Sequence, residues 1–129
     1  MLHRVIIASE TVGSTGVSVL SIAQILGISE RNNRRDEITS GVLFHDGWCL
    51  HAMEGRRGDL DRLLRRLRED RRLENIRVLS DRPITSRRFC HPIGLADDPV
   101  GLLKLVGCPD LAEITSFDVE RMLDFKLAA

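Results

Sequence analysis

The sequence contains no tyrosine, and its only tryptophan is Trp48. Chemistry that depends on a phenolic hydroxyl group, whether as electron donor or as proton donor, is therefore excluded for this chain. Its three cysteines, Cys49, Cys90 and Cys108, are an odd number without the spacing of a disulfide framework. This pattern predicts free thiols in a reducing compartment, and the cytoplasm is the expected location.

The chain also lacks an excess of charge of either sign and any long apolar run. Its 129 residues include 19 Lys and Arg and 19 Asp and Glu, so the formal net charge at pH 7 is zero. Balanced charge provides no general attraction to nucleic acid or to acidic membranes. No run approaches the roughly 20 apolar residues of a membrane span, and the N-terminus lacks the pattern of a signal peptide. We predict one soluble domain with neither nucleic-acid nor membrane partners.

The apolar periodicity predicts the element order βαββαββ, followed by a helical tail. The predicted strands are Val5–Ala8, Ile38–Phe44, Trp48–Met53, Ile76–Leu79 and Arg87–Leu95; the predicted helices are Ser18–Asn32, one that begins within Gly55–Gly58, and two in the tail at Val100–Val106 and Phe117–Leu127. Asp46-Gly47 is a strong hairpin signal. Two helices on one face of a mixed sheet define a ferredoxin-like α+β fold with a C-terminal helical tail. The predicted boundaries are residues 2–96 for the domain and 97–129 for the tail.

Short motifs in a fixed order run through the first three quarters of the chain. They are Asn33, then Ile38-Thr39-Ser40-Gly41-Val42-Leu43, Trp48-Cys49-Leu50-His51-Ala52-Met53-Glu54-Gly55, Asp70-Arg71-Arg72 and Arg87-Arg88-Phe89. In this order and spacing, over about residues 2 to 96, the chain resembles the BLUF family of flavin-based blue-light sensors. The resemblance implies a sensory or regulatory domain that is not an enzyme, binds FAD and acts through a protein partner.

The resemblance also implies where a flavin would bind, edge-in between the two main helices and against the sheet. The ring would lie between the helix that contains Ile25 and Ser29 and the helix that contains Leu67. Asn33 matches the family asparagine that hydrogen-bonds the ring, and an amide offers both a donor and an acceptor. The remaining positions implied to contact the flavin are Ile7 and His51 near the ring, and Arg66 and Arg72 near the diphosphate.

Several positions that the family's light reaction uses carry other residues here. The tyrosine that donates an electron and a proton falls on Ile7, and the glutamine whose amide rearranges falls on His51. The family's Trp-x-Met falls on Pro92 and Gly94, and its histidine after Asp-x-Arg falls on Leu73. Isoleucine has no accessible redox chemistry and no exchangeable proton. We therefore predict a domain without the family's photocycle, whether or not a flavin is bound.

Trp48, Leu50 and Ala52 form an apolar row on the sheet face opposite His51. Since residues an odd number apart on a strand point to opposite faces, Trp48 cannot replace the missing tyrosine beside His51. Two helices on one face leave this row bare, and exposed apolar patches usually mark an interface. We predict that Trp48 is buried by the C-terminal tail, by a second copy in a homodimer, or by a protein partner.

Other interpretations of these residues stay open. Ile7 and His51 fit an ordinary core, and Asn33 fits a helix C-cap, where asparagine tolerates the left-handed conformation. The arginines of the second helix are interleaved with acidic residues, which favours a solvated face with i,i+4 ion pairs over a nucleic-acid surface.

Two further functions are possible from the sequence. The cleft between the helices is compatible with a non-flavin nucleotide or haem. An acylphosphatase-like hydrolase needs an anion-binding loop after the first strand, and the loop of residues 11–16 has no arginine. The pairs Cys49 with His51 and Cys90 with His91 lack the compact spacing of zinc motifs, so we predict no metal site.

Overall fold

The computed structural model describes residues 1–12, 29–108 and 110–123. Its strands form one mixed sheet in the order β4-β1-β3-β2-β5, in which only β2 and β5 are parallel. The strands are β1 (Leu2–Thr11), β2 (Thr39–His45), β3 (Trp48–Arg56), β4 (Leu73–Ile84) and β5 (Gly94–Leu95); the helices are α1 (described over 29–35), α2 (Arg57–Glu69), α3 (Pro99–Val106) and α4 (Ser116–Met122), with a 3₁₀ turn at Leu111–Glu113. This is the predicted ferredoxin-like α+β fold. None of the described helices is long and apolar enough to cross a membrane.

The hairpin between β2 and β3 forms where the Asp-Gly pair predicts it. Asp46 and Gly47 both have positive φ, 51° and 80°, as the two central residues of a type I′ turn require. The hairpin sets the register of the sheet, and β3 then pairs antiparallel with β1, so that Ile7 lies directly opposite His51.

The two faces of the sheet are built from alternate residues of the same strands. On the first, which we call the cleft face, Val5, Ile7 and Met53 pack against Leu60 and Leu63 of α2. On the opposite side, the tail face, the strands pack against α3, the 3₁₀ turn and α4. The buried residues shared between the strands and this cover are Ile6, Ala8, Leu43, Leu50, Ala52, Leu102, Leu103, Val106, Leu111, Ile114, Val119 and Met122.

The chain's own C-terminal segment therefore covers the apolar row that the sequence predicts. Leu50 and Ala52 are almost completely buried beneath it, and Trp48 is partly buried against the same cluster. A protein partner or a second copy that used this row would have to displace the tail. The domain boundary at residues 96 and 97 stays a prediction.

A buried ion pair joins β1 to β3 and lies next to the tail. Arg4 donates to Glu54 Oε2 at 2.9 Å from Nε, and both side chains are buried. The other carboxylate oxygen of Glu54 accepts the backbone N–H groups of Arg88 and Phe89, at 2.7 and 3.0 Å. Glu120 of α4 lies 3.6 Å from Arg4. Glu54 thus fixes β1 and the chain after β4 relative to β3.

All five strands differ from their predicted bounds, and β4 and β5 differ most. β4 continues through Pro83 to Ile84, because a strand at the sheet edge has no partner on one side and tolerates the missing N–H of proline. β5 is only two residues long, whereas Arg87–Leu95 was predicted. The predicted first residue of this strand, Arg87, instead donates from its side chain to Thr39 Oγ1 and to the carbonyl oxygens of Glu37 and Glu54. Pairing with β2 begins only at Gly94.

The predicted helix boundaries also shift. The described part of α1 runs to residue 35, so Asn33 lies within the helix and the C-cap interpretation is wrong; the left-handed residue that follows is Glu37, with φ of 55°. Most of the predicted helix Ser18–Asn32 and the last part of Phe117–Leu127 lie outside the described residues.

Candidate functional site

A small cavity opens on the cleft face between the end of α1 and the end of α2. Its volume is about 50 Å³. Strand alternation brings Val42, Phe44, Cys49 and His51 to the same side of the sheet. The full lining is Ser29, Val42, Phe44, Cys49, His51, Leu67, Asp70, Arg72, Leu73 and Ile93. Four residues predicted from the sequence to contact a flavin, Ser29, His51, Leu67 and Arg72, are thus brought together.

His51 is a buried, neutral imidazole in the floor of this cavity. It is only 6% exposed, and burial lowers its pKa to about 4. Its Nε2 atom has no hydrogen-bond partner among the described residues. Neutral imidazole nitrogens act as donor or acceptor according to the tautomer. Because buried polar atoms are almost always paired, this nitrogen indicates a place where a ligand atom would fit.

Asn33 is fully buried, and only one of its two polar side-chain atoms has a partner among the described residues. Its Nδ2 donates to the carbonyl oxygen of Pro92 at 2.9 Å, and Ser40 Oγ donates to the same oxygen at 2.8 Å. The Asn33 Oδ1 atom has no partner among the described residues. Asn33 therefore fixes the chain just before β5 and keeps one acceptor available. The contact with Pro92 has no signal in the sequence, because the acceptor is a backbone atom.

Ile7 occupies the core beside the cavity and does not line it. Its side chain is 1% exposed and packs in the cluster that includes Leu60 and Leu63. Directly across the sheet from it lies His51. The family resemblance places a tyrosine at this position. Here the position is filled by an aliphatic side chain, which lies opposite His51.

The two predicted diphosphate arginines already have acidic partners. Arg72 is bidentate to Asp70, with Nε to Oδ1 at 2.9 Å and the terminal nitrogen to Oδ2 at 2.7 Å. These hydrogen bonds hold the pKa of the Asp70 carboxyl below its usual range. Arg66 lies 3.5 Å from Asp36 and does not line the cavity. Ile25 lies outside the described residues. An anionic ligand would therefore compete with carboxylates for both arginines.

Six lining residues were not predicted as ligand contacts: Val42, Phe44, Cys49, Asp70, Leu73 and Ile93. Phe44 and Ile93 contribute apolar walls, and Cys49 contributes a buried thiol whose pKa burial raises to about 12. Such a thiol stays protonated at neutral pH and is a poor nucleophile. Strand parity relative to Val42 and His51 places Phe44 and Cys49 on the cleft face, and that signal was available in the sequence.

The arrangement suits binding more than covalent chemistry. The cavity has apolar walls, a neutral imidazole and an unreactive thiol, and its one charged pair is mutually satisfied. The unpartnered His51 Nε2 and Asn33 Oδ1 atoms fit the mixed donor and acceptor edge of an isoalloxazine ring. Pockets for molecules of this size are about 300–1,000 Å³, so the cavity formed by the described residues is smaller than the ring requires.

The fold and the cleft together define a small α+β domain with a cavity between two helices. Residues 2–92 match the family model described as sensors of blue-light using FAD (BLUF), which is well over half of the chain. The chain belongs to the BLUF family.

Solved structures agree with this assignment. BlrB, a BLUF protein in its dark state, shares 26% identity with a TM-score of 0.81, over 95% of this chain and 92% of that chain. A bacterial light-regulated adenylyl cyclase shares 30% identity with a TM-score of 0.70, over 74% of this chain but only 28% of its own length. The ground state of BlsA has the same fold, with 17% identity and a TM-score of 0.85 over 99% of this chain and 88% of that chain. No curated protein matches the chain.

The predictions of fold, family and sensory class are therefore confirmed. The individual flavin contacts stay predictions, including those that line the cavity.

Proposed function

We propose that this BLUF domain holds a flavin in the cleft, lacks the family's photocycle and signals through contacts with a protein partner. One observation carries the proposal. Ile7 lies opposite His51 in the core, in a chain with no tyrosine. The side chain that would have to supply an electron and a proton to the excited ring is absent, and no other tyrosine exists to replace it.

When bound, the flavin supplies absorption of blue light. The chain's own residues supply a dry, fixed environment. Leu67 and Ile93 form apolar walls that exclude water from the ring. His51 stays neutral near pH 7, because burial places its pKa near 4, so its Nε2 offers a hydrogen bond without a change of charge. Asn33 Oδ1 offers an acceptor to a ring N–H group.

Arg72 is the residue best placed to contact the phosphate part of FAD. It lines the cavity and presents a planar guanidinium group that suits phosphate oxygens. Its pairing with Asp70 fixes the side chain but neutralises part of its charge. We therefore expect Arg72→Gln to reduce the preference for FAD over riboflavin, as measured by fluorescence quenching of the two flavins in parallel titrations.

The first experiment is an absorption spectrum of the purified chain, expressed with flavin supplied, before and after blue light. We expect a flavin band that shows no reversible red-shift. A reversible shift in the unmodified chain would contradict the loss of the photocycle. A colourless protein that takes up no added flavin would contradict the cofactor part of the proposal.

A gain-of-function variant tests whether the missing side chains account for the loss of the photocycle. Ile7→Tyr combined with His51→Gln restores two of the side chains that the family's light reaction uses, and we expect this double variant to regain a reversible red-shift. Ile7→Phe with His51→Gln is the matched control, because it adds the same ring without the hydroxyl group. A light response in the control equal to that of the tyrosine variant would show that the hydroxyl is not what this chain lacks.

A further inference from the structure

A second cavity, about 650 Å³ in volume, lies at the β5 edge of the sheet. It runs between residues 89–98 and α3, and we call it the edge groove. Its volume falls within the range of about 300–1,000 Å³ that is usual for ligand sites. None of its lining residues lines the cavity on the cleft face, so the two sites are separate.

The edge groove has an apolar floor and an apolar rim. Phe89 and Leu102 in the floor are buried, while Leu95 and Leu105 on the rim are 43% and 46% exposed. Gly41 is required beneath them, because a Cβ atom there would lie 2.5 Å from the ring of Phe89. Two large apolar side chains that stay exposed beside a concave surface are typical of a contact surface for a partner.

The charge of the edge groove has one sign. Its only charged side chains are Asp97 and Asp98, and none of the described lining residues is a lysine or arginine. Asp98 accepts the backbone N–H of Gly101 at 3.0 Å and caps α3. Asp97 is exposed and has no ion-pair or hydrogen-bond partner within the described part of the chain. A cation that entered here would meet an unused carboxylate and no lysine or arginine among the described lining residues, although the imidazole of His91 also lines the groove.

The groove also lies beside an open sheet edge. β5 is the last strand in the sheet order, and its outer side has no neighbouring strand among residues 1–12, 29–108 and 110–123. The outward backbone groups of an edge strand can pair with an extended segment of another chain. An extended segment alternates its side chains, so one side can enter the groove while its backbone pairs with β5.

We propose that the edge groove binds an extended segment of a partner protein, which places an arginine or lysine beside Asp97 and an apolar side chain against Leu95 and Leu105. The charge selects against nucleic acid and anionic lipid, and the apolar rim selects against a purely polar ligand. This site gives a location to the protein contact in the proposed function, and it requires neither the flavin nor its light response.

The test uses the full chain and two capped synthetic heptapeptides, one that alternates valine with arginine and one that alternates valine with glutamate. Binding is measured by fluorescence anisotropy and located by ¹H–¹⁵N NMR. We expect the arginine peptide alone to bind and to shift the amide signals of β5 and α3. Since close charges of like sign repel, Asp97→Lys should weaken binding by at least about fivefold. Glu69→Lys, the same charge change on α2, should leave it unchanged.

Four outcomes would overturn the proposal. Equal binding of the two peptides would show that charge does not select the ligand, and equal loss in the two variants would show a non-specific effect of net charge. Amide shifts confined to the cleft face would place the site elsewhere. Self-association of the chain that is lost in Asp97→Lys, with no competition from the peptide, would make a second copy the occupant. Each titration is repeated on flavin-free protein. The result for peptide binding at the edge groove is then independent of whether the chain binds a flavin.

Discussion

The two faces of the sheet differ in how the polar groups of their strands are paired, although Glu120 Oε1 of α4, on the tail face, also has no partner among the described residues. On the tail face, both oxygens of Glu54 are used, by Arg4 and by two backbone N–H groups. On the cleft face, His51 Nε2 and Asn33 Oδ1 are buried without partners among the described residues. The strands are the same, so the difference comes from what covers each face.

This difference indicates what each face is for. A buried polar atom without a partner costs about 1–3 kcal/mol; His51 lines the cavity on the cleft face, whereas Asn33 does not line it. The tail face, with its completed ion pair and continuous apolar cover, stabilises the domain. The cleft face leaves hydrogen-bonding capacity for a ligand. The four substitutions below test this comparison in order of expected effect.

The largest effect is expected for Glu54→Leu on the tail face. The substitution leaves the buried guanidinium of Arg4 without its main partner, and removal of one member of a buried pair typically costs about 3–5 kcal/mol. We expect a loss of this size in the free energy of unfolding, measured by urea denaturation. Arg82→Met is the control, since Arg82 pairs with Glu120 at the surface, where such pairs contribute about 0–1 kcal/mol. Similar losses of unfolding free energy in both variants would show that the buried pair stabilises the fold no more than the surface pair does.

On the cleft face, His51 should make stability depend on pH. Its folded pKa, about 4, lies below the unfolded value of 6.5, so the unfolded chain binds the proton first. The free energy of unfolding should therefore fall as pH drops from 6.5 towards 4, by about 3 kcal/mol in total. The carboxylates with lowered pKa, Asp36 and Asp70, contribute only below about pH 4. Urea denaturation at several pH values measures the slope, and His51→Gln should flatten it; an unchanged slope in this variant would assign the effect to other groups.

An intermediate effect is expected at a close approach on the tail face. Gly41→Ala places a Cβ atom against the Phe89 ring, and overpacking of this kind costs about 1–3 kcal/mol. Gly58→Ala is the matched control, because a Cβ atom there meets nothing within 4 Å and alanine favours a helix by up to about 1 kcal/mol. Thermal unfolding of the two variants should shift in opposite directions. A stable Gly41→Ala variant would mean that Phe89 moves freely.

The smallest effect is expected for Ser40→Ala. It removes one of the two hydrogen bonds to the Pro92 carbonyl and leaves the one from Asn33, so we expect a loss of about 1 kcal/mol. Ser86→Ala, at an exposed position, serves as the control and should change the free energy of unfolding very little. If Ser40→Ala matched the control, the anchoring of the chain before β5 would depend on Asn33 alone.

Much of the fold could be predicted because local patterns carry it. The apolar periodicity of α2, the alternation in β3 and the Asp46-Gly47 turn each act within a few residues and agree with the structure. The predictions that were wrong concern features that are set by contacts between residues far apart in the sequence. β5 is short because the backbone N–H groups of Arg88 and Phe89 donate to the Glu54 carboxylate and not to a neighbouring strand, and Asn33 is no C-cap because α1 continues beyond it.

The candidate site also has some features that the sequence predicts and others that it does not. The residue types came from the sequence, and four of the predicted contacts line one cavity. The pairing of Arg72 with Asp70 and the use of the Asn33 amide by Pro92 were not predicted. Both depend on how the ends of α1 and α2 meet the sheet. The small size of the cavity likewise depends on packing that no periodicity encodes.

By itself, the sequence determined the family, the order of strands and helices, and the absence of any tyrosine, because these depend on residue identity and short-range spacing. Only the tertiary structure decided that the tail covers the Trp48 row, that His51 Nε2 and Asn33 Oδ1 are left without partners, and that a separate acidic and apolar groove lies beside β5. The physical reason is that these features need backbone atoms and side chains far apart in the chain to meet. Which of them meet is set by the packing of whole elements and not by any local pattern.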